Sequence, residues 1–292
     1  MQYGISILLS GISLGGQYAL IAIGYTMVYG ILRLINFAHG DVFMVAGLMM
    51  VYLSASLPLA AAIPLMIILA VLLGFIIERA AYKPLRTAPR MSVMISAIGV
   101  SYLLQNLATY VTGGLAQAYP NIPWLRTEIE IGGITVRRLA ILTPVLTILL
   151  VIALVIVIKH TKMGMAMRAV AKDFDTAQLM GIRIDRVISI TFVIGSFLAA
   201  VGSILYFSYI GQVSPTIGAM PGLKSFVAAV FGGIGSVPGA VIGSYIIGIC
   251  ETFIKSNQDI SIFSNAFTFA LLIIILLIKP NGLFGEKLKE KV

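Results

Sequence analysis

The 292-residue chain contains one cysteine, Cys250, so no disulfide can close within it. Its two histidines, His39 and His160, stand far apart, and no Cys/His cluster with metal-ligand spacing exists. The HExxH pattern, which sets two imidazoles on one helix face for zinc, is absent, as is the GxSxG nucleophile elbow. "GAMPGLKS" (Gly218 to Ser225) comes near a phosphate loop, but Leu223 separates Gly222 from Lys224, and the Walker spacing fails. The chain therefore carries no ATP site of its own and no nucleophile, base or metal constellation of an enzyme. Charge is scarce as well: 11% of residues are Asp, Glu, Lys or Arg, against roughly a quarter in a soluble domain. No Lys or Arg precedes Arg33, so the N-terminus lacks the basic region of a signal peptide and reads as a first span.

What is present is apolar. Hydrophobic residues make up 59% of the chain and its mean hydropathy is +1.03. Uncharged runs of about 20 residues, the length that crosses a bilayer as a helix, recur along it. The alternating polarity of a transmembrane barrel does not. Residues 3–32 form one span. Residues 42–77 are too long for one span and fit a hairpin turning at "SLPLAAAIP". Residues 91–113, 139–158, 187–210 and 260–278 read as further spans. Residues 222–250 are apolar but broken by "GGIGSVPG" (Gly232 to Gly239), where glycine and Pro238 weaken a continuous helix. The expected fold is an all-α polytopic membrane protein, a single transmembrane domain over 1–292 with about eight transmembrane helices and broken or re-entrant segments.

The net charge of +9 speaks of topology before it speaks of nucleic acid, and no nucleic-acid partner is expected. Loop 78–90 has four basic residues and one acid, and 159–186 has six basic residues and three acids. With the basic tail after 278, these go to the cytoplasm by the positive-inside rule. Walking outward from them puts the N-terminus outside. It also makes 222–250 two helices folding back at the glycines, the alternative being one long span with the N-terminus inside.

The stretch "TKMGMAMRAVAKDFDTAQLMGI" (Thr161 to Ile182) is too polar to span and too patterned for a random loop. As a helix it gathers Met163, Met167, Val170, Phe174 and Ala177 on one face, with Arg168, Lys172 and Asp175 opposite. Gly164 and Gly181 are plausible end markers, and Asp173 or Asp175 fits the cap of a second short helix after a break. Two readings follow: a helix lying along the membrane surface, or a docking element for a cytoplasmic partner.

"GMAMRAVAKDFDTAQLMGIRIDRVISITFVIGSFLAAVGSIL" resembles the cytoplasmic signature of permease subunits of ATP-binding-cassette importers in the branched-chain amino acid family. Gly164, Arg168, Ala169, Asp173, Ala177, Gly181 and Ile182 match its pattern. "LRLINFAHGDVFMVAG" (32–47), "GLKSFVAAVFGGIGSVPGAVIGSYIIG" (222–248) and "KPNGLFG" (279–285) resemble three further motifs of that family, and "SVPGA" its first-permease type. The resemblance implies that 159–186 is a coupling loop seated in an ATPase subunit, with its apolar stripe docking. Its coupling residues would be Gly164, Arg168, Ala169, Asp173, Ala177 and Gly181. It implies a multi-pass chain of the cytoplasmic membrane, among lipid. Its partners would be a second homologous permease, two cytoplasmic ATPases and an extracytoplasmic amino-acid-binding protein. No cofactor is expected in this chain, ATP and Mg belonging to the ATPases. The expected cargo is Leu, Ile or Val, moved by alternating access. Alternatives are urea, short amides or another amino acid in the same importer class, or a stand-alone channel or carrier.

Two clusters are candidates for the translocation path. "NFAHGD" brings Asn36, His39 and Asp41 beside a span, where ionisable groups are costly. It reads as a break lining the path, or as a cytoplasmic turn with Asp41 capping the next helix. Gly232, Gly233, Gly235 and Pro238 read as a broken helix at membrane depth, tolerated where protein or water covers it, or as a close-packing glycine face. Gln105 and Asn106 stand mid-span, to touch a solute or to join helices. Glu251 is expected at a solvated helix end and Lys224 as a snorkelling residue. With every acid at a segment edge or in a loop, the sequence argues against an ion-coupled carrier.

Overall fold

Inside a bilayer a backbone satisfies its own N–H and C=O groups only as a helix or a closed barrel, so these apolar runs fold as helices. The computed structural model describes residues 2–86, 88–131 and 134–285. The helices, in order, are α1 (Gln2–Leu32), α2 (His39–Ser56), α3 (Leu59–Ile77), α4 (Arg90–Thr112), α5 (Pro123–Arg126) and α6 (Arg138–His160). They continue as α7 (Lys162–Lys172), α8 (Phe174–Leu179), α9 (Ile184–Ile210), α10 (Ala219–Gly232), α11 (Val237–Lys255) and α12 (Ser264–Ile278). Among the described residues, eight helical segments are long and apolar enough to cross a membrane, and α10 is a shorter apolar helix. The chain is a multi-pass, all-α membrane protein.

The bundle is built around α1 and α9, its most buried spans. Glycine decides how closely α1 meets α11. A Cβ added at Gly11 would stand 2.8 Å from the Cα of Ile249, and one at Gly15 would stand 2.7 Å from the Cα of Tyr245. On α11, Gly248 lies against the backbone of Gly15. Lipid is as apolar as a helix surface, so such close backbone packing supplies the attraction. The hairpin at 42–77 turns at Leu57 and Pro58, as the prolines indicate, with Pro58 preceding α3.

Residues 222–250 do form two helices. α10 ends at Gly232, and Gly233 (φ 108°) and Gly235 (φ 97°) turn the chain. Ser236 then caps α11 by accepting from the Gly239 N–H at 3.2 Å. The chain after α12 closes over this break: Leu283 N–H donates to Phe231 O (3.0 Å) and Phe284 N–H to Gly232 O (2.9 Å).

Two expectations need correction. Residues 78–90 are not simply a loop. The helix continues past α3 through a wide π turn (Glu78–Tyr82) and a tight 3-10 turn (Lys83–Leu85). Nor is the segment after α4, which reads in the sequence as a mixed loop over 114–138, loop alone. Its β1 (Gln117–Ala118) pairs with β4 (Gln212–Val213), and β2 (Glu128–Ile131) pairs with β3 (Ile134–Arg137), both antiparallel. The β1–β4 pairing stitches the loops following α4 and α9 together, and β2–β3 is a local hairpin between α5 and α6.

Candidate functional site

The polar stretch between α6 and α9 folds as two capped helices. Thr161 opens α7, its hydroxyl accepting from the Gly164 N–H at 3.0 Å. Asp173 ends α7 in extended backbone and caps α8, accepting from the Thr176 N–H at 3.0 Å. Gly181 (φ 82°) closes α8: its N–H bonds Gln178 O at 3.0 Å, while the Ile182 N–H reaches Ala177 O at 3.1 Å. That six-to-one bond over a left-handed glycine is a Schellman stop. Gly164 sits against the carbonyls of Val157 and Ile158, where a side chain has no room. The Arg168 guanidinium donates back to Ile158 O, one of the last carbonyls of α6. Ala177 is buried and Ala169 half-buried.

The six residues expected to contact an ATPase thus shape the element. The apolar stripe also points inward: Met167, Val170 and Ala177 are buried, Met163 half-buried, and only Phe174 of that face reaches the surface. What the element shows outward is a different set, Met165, Phe174, Leu179 and Met180, the last two 87% and 78% exposed. Helical periodicity picked out Phe174 but missed Met165, Leu179 and Met180, the last two lying past the stripe at the closing turn.

The turn before α2 lies inside the bundle. His39 packs against Gly24 of α1 and Gly195 of α9 and stands edge-on to the Tyr25 ring, centroids 5.0 Å apart. Gly40 abuts the backbone of Gly218 and Gly222. At 1.5 Å per residue, Gly24 is about 12 Å inside the end of α1 and Gly195 about 16 Å inside α9. Asn36, His39 and Asp41 are each no more than 3% exposed. Asn36 Oδ1 accepts from Tyr82 OH at 2.8 Å, and Asp41 Oδ1 accepts from Gln105 Nε2 at 3.0 Å. Gln105 is therefore helix-to-helix glue. Asp41 does stand in the first turn of α2, but not at a cytoplasmic surface.

Gly232, Gly233, Gly235 and Pro238 gather at the α10–α11 turn, Pro238 inside the first turn of α11. They do not meet the Asn36–Asp41 group. The two lie toward opposite ends of α10, roughly 20 Å apart along its axis. A cleft lined by Phe174, Tyr82, Arg86, Leu34 and neighbouring apolar residues does join the α7–α8 element to the deep turn, since Tyr82 holds Asn36.

Buried charge was the feature least visible in sequence. Glu251 is fully buried. Its Oε1 takes Lys224 Nζ at 2.5 Å and Lys255 Nζ at 2.6 Å, and its Oε2 takes Tyr18 OH at 2.9 Å. It is not a solvated end, and Lys224 does not snorkel; the fold-back of α10 on α11 brings them together. Only the Glu251–Lys255 spacing of four hinted at a partner. Glu78 is likewise buried. It accepts from Ser189 Oγ at 2.7 Å and pairs with Arg86, which also pairs with Asp185; Lys83 meets Asp185 at 2.9 Å. Acids therefore do lie within the bundle, each answered by a cation or, for Asp41, an amide.

The model of the family described as the permease component of branched-chain amino acid transport systems matches residues 7–276. The chain is 42% identical to the high-affinity branched-chain amino acid transport system permease protein LivH of Escherichia coli strain K12, over 99% of this chain and 98% of that one. It is 39% identical to the corresponding protein BraD of Pseudomonas aeruginosa, over 98% and 97%. The ribose import permease protein RbsC of Haemophilus influenzae is 26% identical over 92% and 83%. Among solved structures, a chain of a metal-chelate-type ABC transporter in an inward-facing conformation superposes with a TM-score of 0.51. It covers 94% of this chain and 87% of that one at 14% identity, a likeness of fold.

Proposed function

The chain belongs to the family of branched-chain amino acid transport permease components, and from that premise we propose that it is the membrane permease of an ATP-driven importer for Leu, Ile and Val. It works in the cytoplasmic membrane beside a second homologous permease. Two cytoplasmic ATPases bind and hydrolyse ATP with Mg, and an extracytoplasmic binding protein delivers the amino acid. The chain itself holds no cofactor and performs no hydrolysis.

The observation that carries this reading is the α7–α8 element: anchored by Met167, Val170 and Ala177, it turns Phe174, Leu179 and Met180 outward. Apolar groups left bare at the end of a coupling segment suit a cleft in a partner subunit. Its caps make it stiff, so closure of the ATPases moves it as a unit. Phe174 adjoins the cleft that Tyr82 shares, and Tyr82 holds Asn36 at the deep turn. Movement of the element is in this way passed to the start of α2, where the bundle opens to one side or the other.

The test is uptake of labelled leucine into vesicles holding the full set of subunits. Leu179→Glu combined with Met180→Glu, both at exposed positions, abolishes ATP-dependent uptake while the chain still inserts. Leucine movement by this chain alone, without ATP and indifferent to the double change, overturns the proposal.

A further inference from the structure

Among the spans with little buried surface, α4 is the odd one. Four helical segments are less than a third buried: that of α3, with α4, α6 and α12. Mean hydropathy is 2.9 in the first, 3.2 in α6 and 2.4 in α12, but 1.4 in α4, although only 22% of its apolar window is buried. Values as low occur in α1, α2 and α11, at 1.6, 1.2 and 1.6, and these are 67%, 56% and 39% buried, each well above α4. α4 thus has the composition of a covered helix and the exposure of a lipid-facing one.

The residues responsible share a face. Val93, Ala97, Leu104, Ala108 and Thr112 turn inward. Tyr102 and Asn106 stand opposite them, outward, Tyr102 being 62% exposed. Tyr102 is about 18 Å beyond Arg90, near the middle of a hydrocarbon core about 30 Å thick, with Asn106 about 6 Å farther on. The Asn106 amide donates to Tyr102 O at 2.8 Å, and the residue is exposed. The outward residues of α6 at such depth, Val145, Ile148, Leu149 and Ile152, are all aliphatic. Polar groups facing acyl chains are costly, which disfavours lipid as the natural cover. A soluble subunit does not reach the bilayer centre. The cover is a membrane-embedded chain with hydrogen-bonding groups of its own.

We infer that the outward face of α4, centred on Tyr102 and Asn106, is the surface on which the second, homologous permease subunit docks. This inference rests on the two-permease reading above. It places the seam between the bundles next to the Gln105–Asp41 contact, one short step from the deep turn.

The experiment uses the complete transporter in native membranes. A photoreactive benzophenone residue replaces Tyr102 or Asn106, and in a control Ile152 of α6. Probes on α4 should join this chain to the second permease, and the α6 probe should label lipid alone. Asn106→Leu, which lipid would favour, should instead lower recovery of the second permease roughly threefold to tenfold, the effect of one interhelical hydrogen bond, with insertion unchanged. Probes on α4 labelling only lipid, or only a second copy of this chain, overturn the inference. ATP-dependent leucine uptake by the same membranes separates the two levels. Uptake with α4 free of the second permease refutes the docking face alone, whereas no ATP-dependent uptake in wild type refutes the reading beneath it.

Discussion

Removing the charge of Glu251 strands a buried lysine. In the folded chain its carboxylate holds Lys224 at 2.5 Å and Lys255 at 2.6 Å, with Tyr18 OH on the second oxygen. Lys224 is buried, whereas Lys255 is half-exposed and can turn to water. Glu251→Gln therefore leaves one ammonium, that of Lys224, desolvated and unanswered. Breaking a buried pair in this way costs about 3–5 kcal/mol. The double change Lys224→Met with Glu251→Leu removes both buried charges, and such apolar replacement of an ion pair is often neutral or stabilising. The remaining cost is the lost Tyr18 hydrogen bond, about 1 kcal/mol. The double variant should therefore be about 2–4 kcal/mol more stable than Glu251→Gln. The assay is the thermal midpoint of the purified chain in nanodiscs. Glu251→Gln should lower it markedly, and the double variant should recover most of the loss. A single variant as stable as wild type, or a double variant no better than the single, would refute a charge pair joining α10 to α11.

Three further outcomes follow from particular contacts. Gly248→Leu drives a side chain into the backbone of Gly15; overpacking costs about 1–3 kcal/mol or more, so yield of folded chain in detergent should fall far below that of Gly4→Leu, where the space is open. Gly181→Val forces a β-branched residue to φ 82°, a strain of about 1–2 kcal/mol; it should reduce ATP-dependent uptake several-fold with insertion intact, and Gly181→Asn should restore most of it. Arg86→Gln leaves buried Glu78 with Ser189 but without its cation; a lowered thermal midpoint, partly recovered by adding Glu78→Gln, is expected, since the paired loss leaves no lone charge.

Hydropathy alone determined that the chain crosses a membrane repeatedly as helices, because no other open structure satisfies a backbone in hydrocarbon. Local chemistry was equally legible. Pro58, the glycines at 232–235, Asp173 and Gly181 each act through bonds a few residues long, so the hairpin turn, the α10–α11 break, the α7–α8 break and the end of α8 could be read from the chain; the start of α7 could not, since Thr161 caps it and Gly164 lies inside its first turn. The motifs also carried the family. Tertiary structure decided everything that depends on two distant segments meeting. Sequence shows Glu251 as the end of an apolar run; only the folded-back α10 supplies Lys224 to it. "NFAHGD" beside Arg33 looks like a surface turn until Gly24, Gly195 and Gly222 admit it to the interior by their lack of side chains. The stripe on α7 has the same spacing whether it faces a partner or its own bundle, and packing against the core turned it inward, leaving Leu179 and Met180 for the outside. Periodicity reports that a face is apolar. What that face touches is set by the neighbours which the rest of the chain brings to it.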